Sequence, residues 1–147
     1  MQERIVANLK ELVAINSINA ALSGGPGEGE IAGFIHHFLG KLGLEARIYS
    51  AGAACVSVAA VVRGKGGGEP IVLNGHLDTV GVEGTDVPFA LRQEGDRLYG
   101  RGCYDMKGGV AVMLALAEAL AADPPAGDVW LTFSADEEDR SLGTEQL

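Results

Sequence analysis

Cysteine is scarce in this chain. There are two, Cys55 and Cys103, with no Cys-x-x-Cys pair and no disulfide framework. A reducing, cytoplasmic setting is the expectation. Positive charge is scarce as well: 11 Lys and Arg stand against 20 Asp and Glu, a formal charge of −9. Nucleic acids and anionic membrane surfaces are bound through cationic surface, so neither is an expected partner. No apolar run approaches the roughly 18 residues that would span a bilayer. The first fifteen or so residues carry Glu3, Arg4, Lys10 and Glu11 among apolar ones, which fits an amphipathic helix and not a signal peptide. There is no Gly-X-Y period, so the 22 glycines do not mean collagen. They point instead to many tight turns between short elements.

What remains is an ordinary globular composition. Hydrophobic residues make up 47% and charged residues 21%, which excludes a disordered or fibrous chain. A length of 147 residues suits one domain. Ile5, Leu9, Leu12 and Val13 share one helical face, predicting a helix over residues 3–15. Ile31, Phe34, Ile35, Phe38 and Leu42 mark a second helix, closed by Gly43. His36 and His37 on it point in different directions and read as packing or surface residues. Val/Ile/Ala-rich runs at 45–50, 56–63 and 70–75 predict strands, with Gly64–Gly68 as a hairpin-like or flexible turn between the last two. A short extended piece is expected at 98–100. The periodicity of residues 107–121 predicts the longest helix, stopped by Pro124 and Pro125. Residues 129–135 read as a strand buried on both faces. Helices alternating with apolar strands predict an α/β layered sheet. The glycine-rich Ser23–Gly29 segment lacks the preceding strand and the spacing of a dinucleotide loop.

Three segments place ligand-type residues at strand ends. In Leu73-Asn74-Gly75-His76-Leu77-Asp78-Thr79-Val80, His76 and Asp78 project to the same side of an extended chain. Such a carboxylate can hold an imidazole in one tautomer for a metal. A hydrogen bond that merely caps a strand explains the pair equally well. In Gly100-Arg-Gly-Cys-Tyr-Asp105-Met-Lys-Gly-Gly109, Asp105 opens the long helix, where an N-cap is the simpler role. Cys103 nearby reads as a small packed residue, since no activating base is apparent. In Ser134-Ala-Asp136-Glu137-Glu138-Asp139, four consecutive carboxylates would ordinarily be a solvated loop. Here a buried strand delivers them to the sheet edge where α/β proteins bind ligands. The three segments lie about one βαβ unit, roughly 30 residues, apart. Together they offer one imidazole, one isolated carboxylate and a carboxylate pair, a donor set suited to a two-zinc hydrolytic site. His76, Asp105 and Glu138 are therefore expected to converge.

His76-Leu-Asp78-Thr-Val80, Gly100-Arg-Gly-x-x-Asp105-Met-Lys-Gly-Gly109 and Asp136-Glu-Glu138 resemble the three N-terminal motifs of the co-catalytic zinc metallopeptidases. That family includes acetylornithine deacetylase, succinyl-diaminopimelate desuccinylase, carboxypeptidase G and the aminoacylases. The resemblance implies a three-layer α/β/α sheet and two Zn2+ ions, with Co2+ or Mn2+ as substitutes. It implies that His76 binds the first metal, Asp78 orients His76, Asp105 bridges both metals, Glu137 is the general base and Glu138 binds the second metal. It also implies a cis bond from Asp105 to Met106. The activity implied is hydrolysis of an amide bond in an N-acyl amino acid or peptide, with homodimerisation of a full-length parent. Family members add a dimerisation lid domain, a later acidic ligand and a late histidine. Residues 139–147 contain Glu145 but no histidine. Residues 1–147 are thus expected to be the truncated N-terminal part of a catalytic domain, with a helix starting near Ser141, weak zinc binding and little activity alone. A di- or tripeptidase of the same family and a non-catalytic interaction module are the alternative readings.

Overall fold

A computed structural model describes residues 1–84 and 86–147. Four helices, one of them a single turn, a four-stranded sheet and a small hairpin account for most of the regular structure among the described residues. The helices are α1 (Gln2–Ala14), a single turn α2 (Ala20–Ser23), α3 (Gly29–Lys41) and α4 (Lys107–Ala122). The strands are β1 (Glu45–Ser50), β2 (Val56–Val62), β3 (Ile71–His76), β4 (Arg92–Glu94), β5 (Arg97–Tyr99) and β6 (Val129–Ser134). The sequence-based ranges agree to within about two residues for α1, α3, α4 and the four long strands. α2 and β4 were not expected, because one is a single turn and the other a three-residue polar strand.

The sheet order is β1-β2-β6-β3, with β1-β2 and β2-β6 antiparallel and β6-β3 parallel. Of the two readings of Gly64–Gly68, the hairpin does not form, because β6 lies between β2 and β3. The Gly64–Gly68 turn bonds elsewhere. Gly64 N donates to Asp128 Oδ1 at 2.8 Å, Lys65 N to Pro125 O at 2.7 Å and Gly66 N to Ala126 O at 2.9 Å. The turn is thus pinned to the segment that leads into β6.

One face of the sheet carries the core. Val58, Ala60 and Val62 of β2 and Val129, Leu131 and Phe133 of β6 pack against Ile31, Ile35 and Leu39 of α3 and Val110, Leu114 and Ala117 of α4. α1 joins the same core through Leu9, Leu12 and Val13. On the opposite face Trp130 is 38% exposed and Val72 is 64% exposed. β6 therefore buries alternate residues along its first half, not both faces as its apolar run suggested. Among the described residues no helix covers that second face. α3 ends as expected: Gly43 has φ 76° and Leu44 N donates back to Leu39 O at 3.2 Å, the closure a glycine favours. The helix expected near Ser141 is absent. Ser141 has φ 57°, and Gly143 N donates to Ala135 O at 3.1 Å, so this segment folds back on the end of β6. Only a 3-10 turn, Thr144–Gln146, follows.

Four hydrogen bonds tie the end of α1 and the segment after it to the continuation of β3 and the start of α4. After α1, Ser17 Oγ donates to Leu77 O at 2.7 Å, Thr79 N to Ser17 O at 3.0 Å and Asn19 N to Thr79 O at 2.9 Å. The segment 17–19 thus runs beside the continuation of β3. Lys107, at the start of α4, is fully buried and donates from Nζ to Ile15 O at 2.7 Å. That carbonyl lies at the C-terminal end of α1, where a helix favours a cation. Burial without a carboxylate partner lowers the Lys107 pKa to about 8. Replacing Lys107 with Ala removes both the packed stem and the bond, at an expected cost of about 2–4 kcal/mol. Lys107→Met keeps the stem and should cost about 1–2 kcal/mol. Urea denaturation checks the ranking, and an Ala variant as stable as wild type would refute it. No described helix is long and apolar enough to cross a membrane.

Candidate metal centre

His76 is the last residue of β3 and pairs in register with Ser134, the last of β6. The two chains leave the sheet side by side, so Asp78 runs next to Asp136, Glu137 and Glu138. A turn begins at Asp136, which has φ 60°. Glu137 and Glu138 therefore sit in a turn. Their backbone amides donate to one acceptor group: Glu137 N to Asp78 Oδ1 at 3.1 Å and Glu138 N to Asp78 Oδ2 at 3.0 Å.

Asp78 is wholly buried. Its Oδ2 also accepts from Asn19 Nδ2 at 2.8 Å, and its Oδ1 lies 3.4 Å from His76 Nδ1. Burial alone would raise its pKa. Hydrogen bonds from His76, Asn19, Glu138 and Glu137 outweigh burial and hold the carboxyl below its ordinary value. The carboxylate is thus ionised and saturated with donors.

The opposite ring nitrogen faces the third segment. His76 Nε2 is 2.9 Å from Asp105 Oδ1 and 3.8 Å from Glu137 Oε2. Asp105 is not a helix cap: Met106 holds the cap position, and no side chain bonds there. The Asp105–Met106 peptide is cis. Glycine lets this loop close. Gly102 has φ 78°, and a Cβ on Gly108 would sit 2.5 Å from Cys103 O. Cys103 packs against the core, and burial pushes its thiol up, consistent with a packed, unreactive residue.

His76, Asp105 and Glu138 each offer one donor atom, and these atoms lie within 4.8 Å of one another. Glu138 is half-buried. Its pKa is raised, first by burial and then by Asp105, Asp78 and Glu137, with His76 opposing. Burial would lower the His76 pKa, but hydrogen bonds to Asp78 and Asp105 and the charges of Asp78 and Glu137 raise it to about 9. Without metal, a proton on Nε2 links His76 to Asp105. An imidazole plus two carboxylates is a donor set that fits a zinc-like cation in place of that proton. Composition and periodicity did not reveal Asn19, Glu28 or Lys107 as buried polar residues. Asn19 had one legible signal, its position before Ala-Ala-Leu as an N-cap.

The family model described as peptidase family M20/M25/M40 matches residues 72–147, just over half of the chain. The chain belongs to this family. Succinyl-diaminopimelate desuccinylase from Dinoroseobacter shibae is 41% identical over 118 residues, covering 71% of this chain and 31% of that protein. Carboxypeptidase G2 from Pseudomonas sp. is 31% identical, covering 99% of this chain and 35% of its own length. This M20-family chain thus spans about a third of the length of the curated relatives it matches. The fold agrees. A tripeptidase from Staphylococcus aureus superposes with a TM-score of 0.81 at 22% identity, over 100% of this chain and 40% of its own. An M20 family metallo-carboxypeptidase from Sulfolobus solfataricus gives 0.77 at 25% identity, over 91% and 31%.

The raised His76 pKa has a signed consequence. Its folded value, about 9, exceeds the ordinary 6.5. The contribution to stability is fully present below about pH 6.5 and is lost as pH rises through about 9. In metal-free protein, ring nitrogen NMR should show His76 titrating near pH 9. Saturating zinc should abolish that titration. A midpoint near 6.5 without metal would contradict the contacts described.

Proposed function

We propose that this chain forms the metal-binding part of the active site of an amide hydrolase acting on N-acyl amino acids. In this reading residues 1–147 are the N-terminal part of a catalytic domain. The observation that carries it is the convergence of His76, Asp105 and Glu138 within 4.8 Å at the ends of two adjacent strands and one helix. His76 would hold one Zn2+, Glu138 a second, and Asp105 would bridge them. When bound, such ions polarise an amide carbonyl and make a water molecule acidic.

The rest of the chemistry falls to the chain's own side chains. Asp78 fixes the ring of His76 from the Nδ1 side, through its backbone carbonyl at 3.1 Å and its carboxylate at 3.4 Å, and leaves Nε2 facing Asp105. Glu137, half exposed and 3.8 Å from His76 Nε2, has a carboxylate free to take the water proton. It returns that proton to the amine nitrogen as the amide bond breaks. Its place beside the ligands follows from the Asp78 contact with its own backbone amide. The relatives that favour an N-acyl substrate over a peptide are the desuccinylases, at up to 45% identity over the matched segments.

The described cluster gives each ion two protein ligands, whereas catalytic zinc ordinarily has three. Calorimetry on residues 1–147 should therefore show weak zinc binding, and an amide-hydrolysis assay little turnover. Hydrolysis of N-succinyl and N-acetyl amino acids by the longest natural chain carrying this sequence tests the roles. Glu137→Gln should lower kcat by at least about 100-fold with metal content retained. Asp105→Ala should lose metal. Near-normal turnover in the Gln variant would remove Glu137 from the role of base.

A further inference from the structure

Asn19 has no part in the chemistry above, yet it is 1% exposed and every polar atom of its side chain is engaged. Its Nδ2 donates to Asp78 Oδ2 at 2.8 Å and to Asp136 Oδ1 at 3.0 Å. Its Oδ1 accepts from Leu22 N at 2.8 Å and caps α2. Its backbone nitrogen is held by Thr79 O at 2.9 Å. The residue is thus fixed on one side by the continuation of β3 and reaches across two carboxylates on the other.

Those carboxylates are buried: Asp78 is 0% exposed and Asp136 is 5% exposed. Two carboxyl groups sharing one neighbour in a poorly solvated place each need a donor. A primary amide has two N–H donors and no charge, so it can give one to each acid. The pressure from negative charge here is visible in a third acid. Glu28 is 1% exposed, and one of its oxygens has no partner. Burial first, and then the charges of Asp78 and Asp136, raise its carboxyl to about 7.

We infer that Asn19 is a positioning residue, a two-pronged clamp joining the carboxylate that orients His76 to the carboxylate that starts the Glu137–Glu138 turn. The inference rests on the metal-centre reading. With the clamp removed, Asp136 and Asp78 separate. The two amides bonded to Asp78 belong to the same turn as Asp136, so Glu138 loses its register with His76 and Asp105.

The competing role is simple helix capping. Aspartate separates the two, because it caps as well as asparagine but, ionised, has no N–H to donate. The probe is Co2+ alone, added to residues 1–147 as wild type, Asn19→Asp and Asn19→Ala. Both variants should weaken Co2+ binding by about 10–100-fold and alter the Co2+ d–d absorption. Asn19→Asp should be no better than Asn19→Ala. Wild-type affinity and spectrum in Asn19→Asp would show a cap and nothing more, and overturn the clamp. A second measurement needs no variant. In the wild-type chain, NMR couplings across hydrogen bonds should link Asn19 Nδ2 to the carboxyl carbons of both Asp78 and Asp136. Absence of either coupling overturns the clamp however the variants fold. Both couplings present with no Co2+ binding by the wild type would overturn the metal-centre reading instead.

Discussion

The carboxylate of Asp78 is the group from which the site hangs. It is wholly buried and ionised, a state that is unfavourable unless donors surround it. Its partners come from three separate stretches of chain: Asn19 and the amides of Glu137 and Glu138 donate to it, and His76 Nδ1, bonded to the Asp78 backbone carbonyl at 3.1 Å, lies 3.4 Å from Oδ1. Satisfying one carboxylate therefore fixes three segments at once. The sheet does the coarse work by pairing His76 with Ser134. Asp78 does the fine work, setting the imidazole and Glu138 within 4.8 Å of Asp105. Single hydrogen bonds contribute modestly to stability, but leaving a buried charge short of them is costly. That asymmetry makes the arrangement a single one and not a loose cluster.

The same crowding of acids explains why the centre suits a cation. Asp105, Glu137 and Glu138 surround one imidazole at the sheet edge. Without a metal the protein answers with a proton: His76 rises to about 9 and Glu138 is pushed up. A divalent ion supplies more positive charge than that proton and relieves the repulsion more fully. Binding must then release the His76 proton near neutral pH, which couples metal affinity to pH. Two buried polar side chains lie behind the candidate ligands. Asn19 is an uncharged amide, and Lys107 is directed away to the end of α1.

The fold was legible wherever local pattern decided it. Helical spacing in α1, α3 and α4 and the apolar runs of β2, β3 and β6 place these elements within about two residues. The site was legible for a related reason: chemistry-bearing residues followed apolar strands, and the motifs carried a family resemblance. Pairing between distant strands was not legible, because β6 enters between β2 and β3 from about 70 residues later, a contact that loop composition does not encode. The segment after Glu138 read as helical, but Asp136 and Ser141 adopt left-handed backbone angles and Gly143 closes on Ala135. Taken alone the Asp105 segment fits a cap, and only beside the other two segments does it point to a ligand role; its side chain faces His76. Asn19, Glu28 and Lys107 were hidden because burial of a polar residue depends on partners far along the chain.

The central claim is that Asp78 arranges His76, Asp105 and Glu138 to hold metal. Anomalous diffraction at the zinc edge, from crystals of this chain grown with zinc, addresses it most directly. The account predicts a peak about 2.0–2.1 Å from His76 Nε2, with Asp105 also in its coordination sphere and the Asp78 carboxylate still bonded to the amides of Glu137 and Glu138. Zinc bound only elsewhere, or a His76 ring turned away from Asp105 in the zinc-soaked crystal, would contradict it.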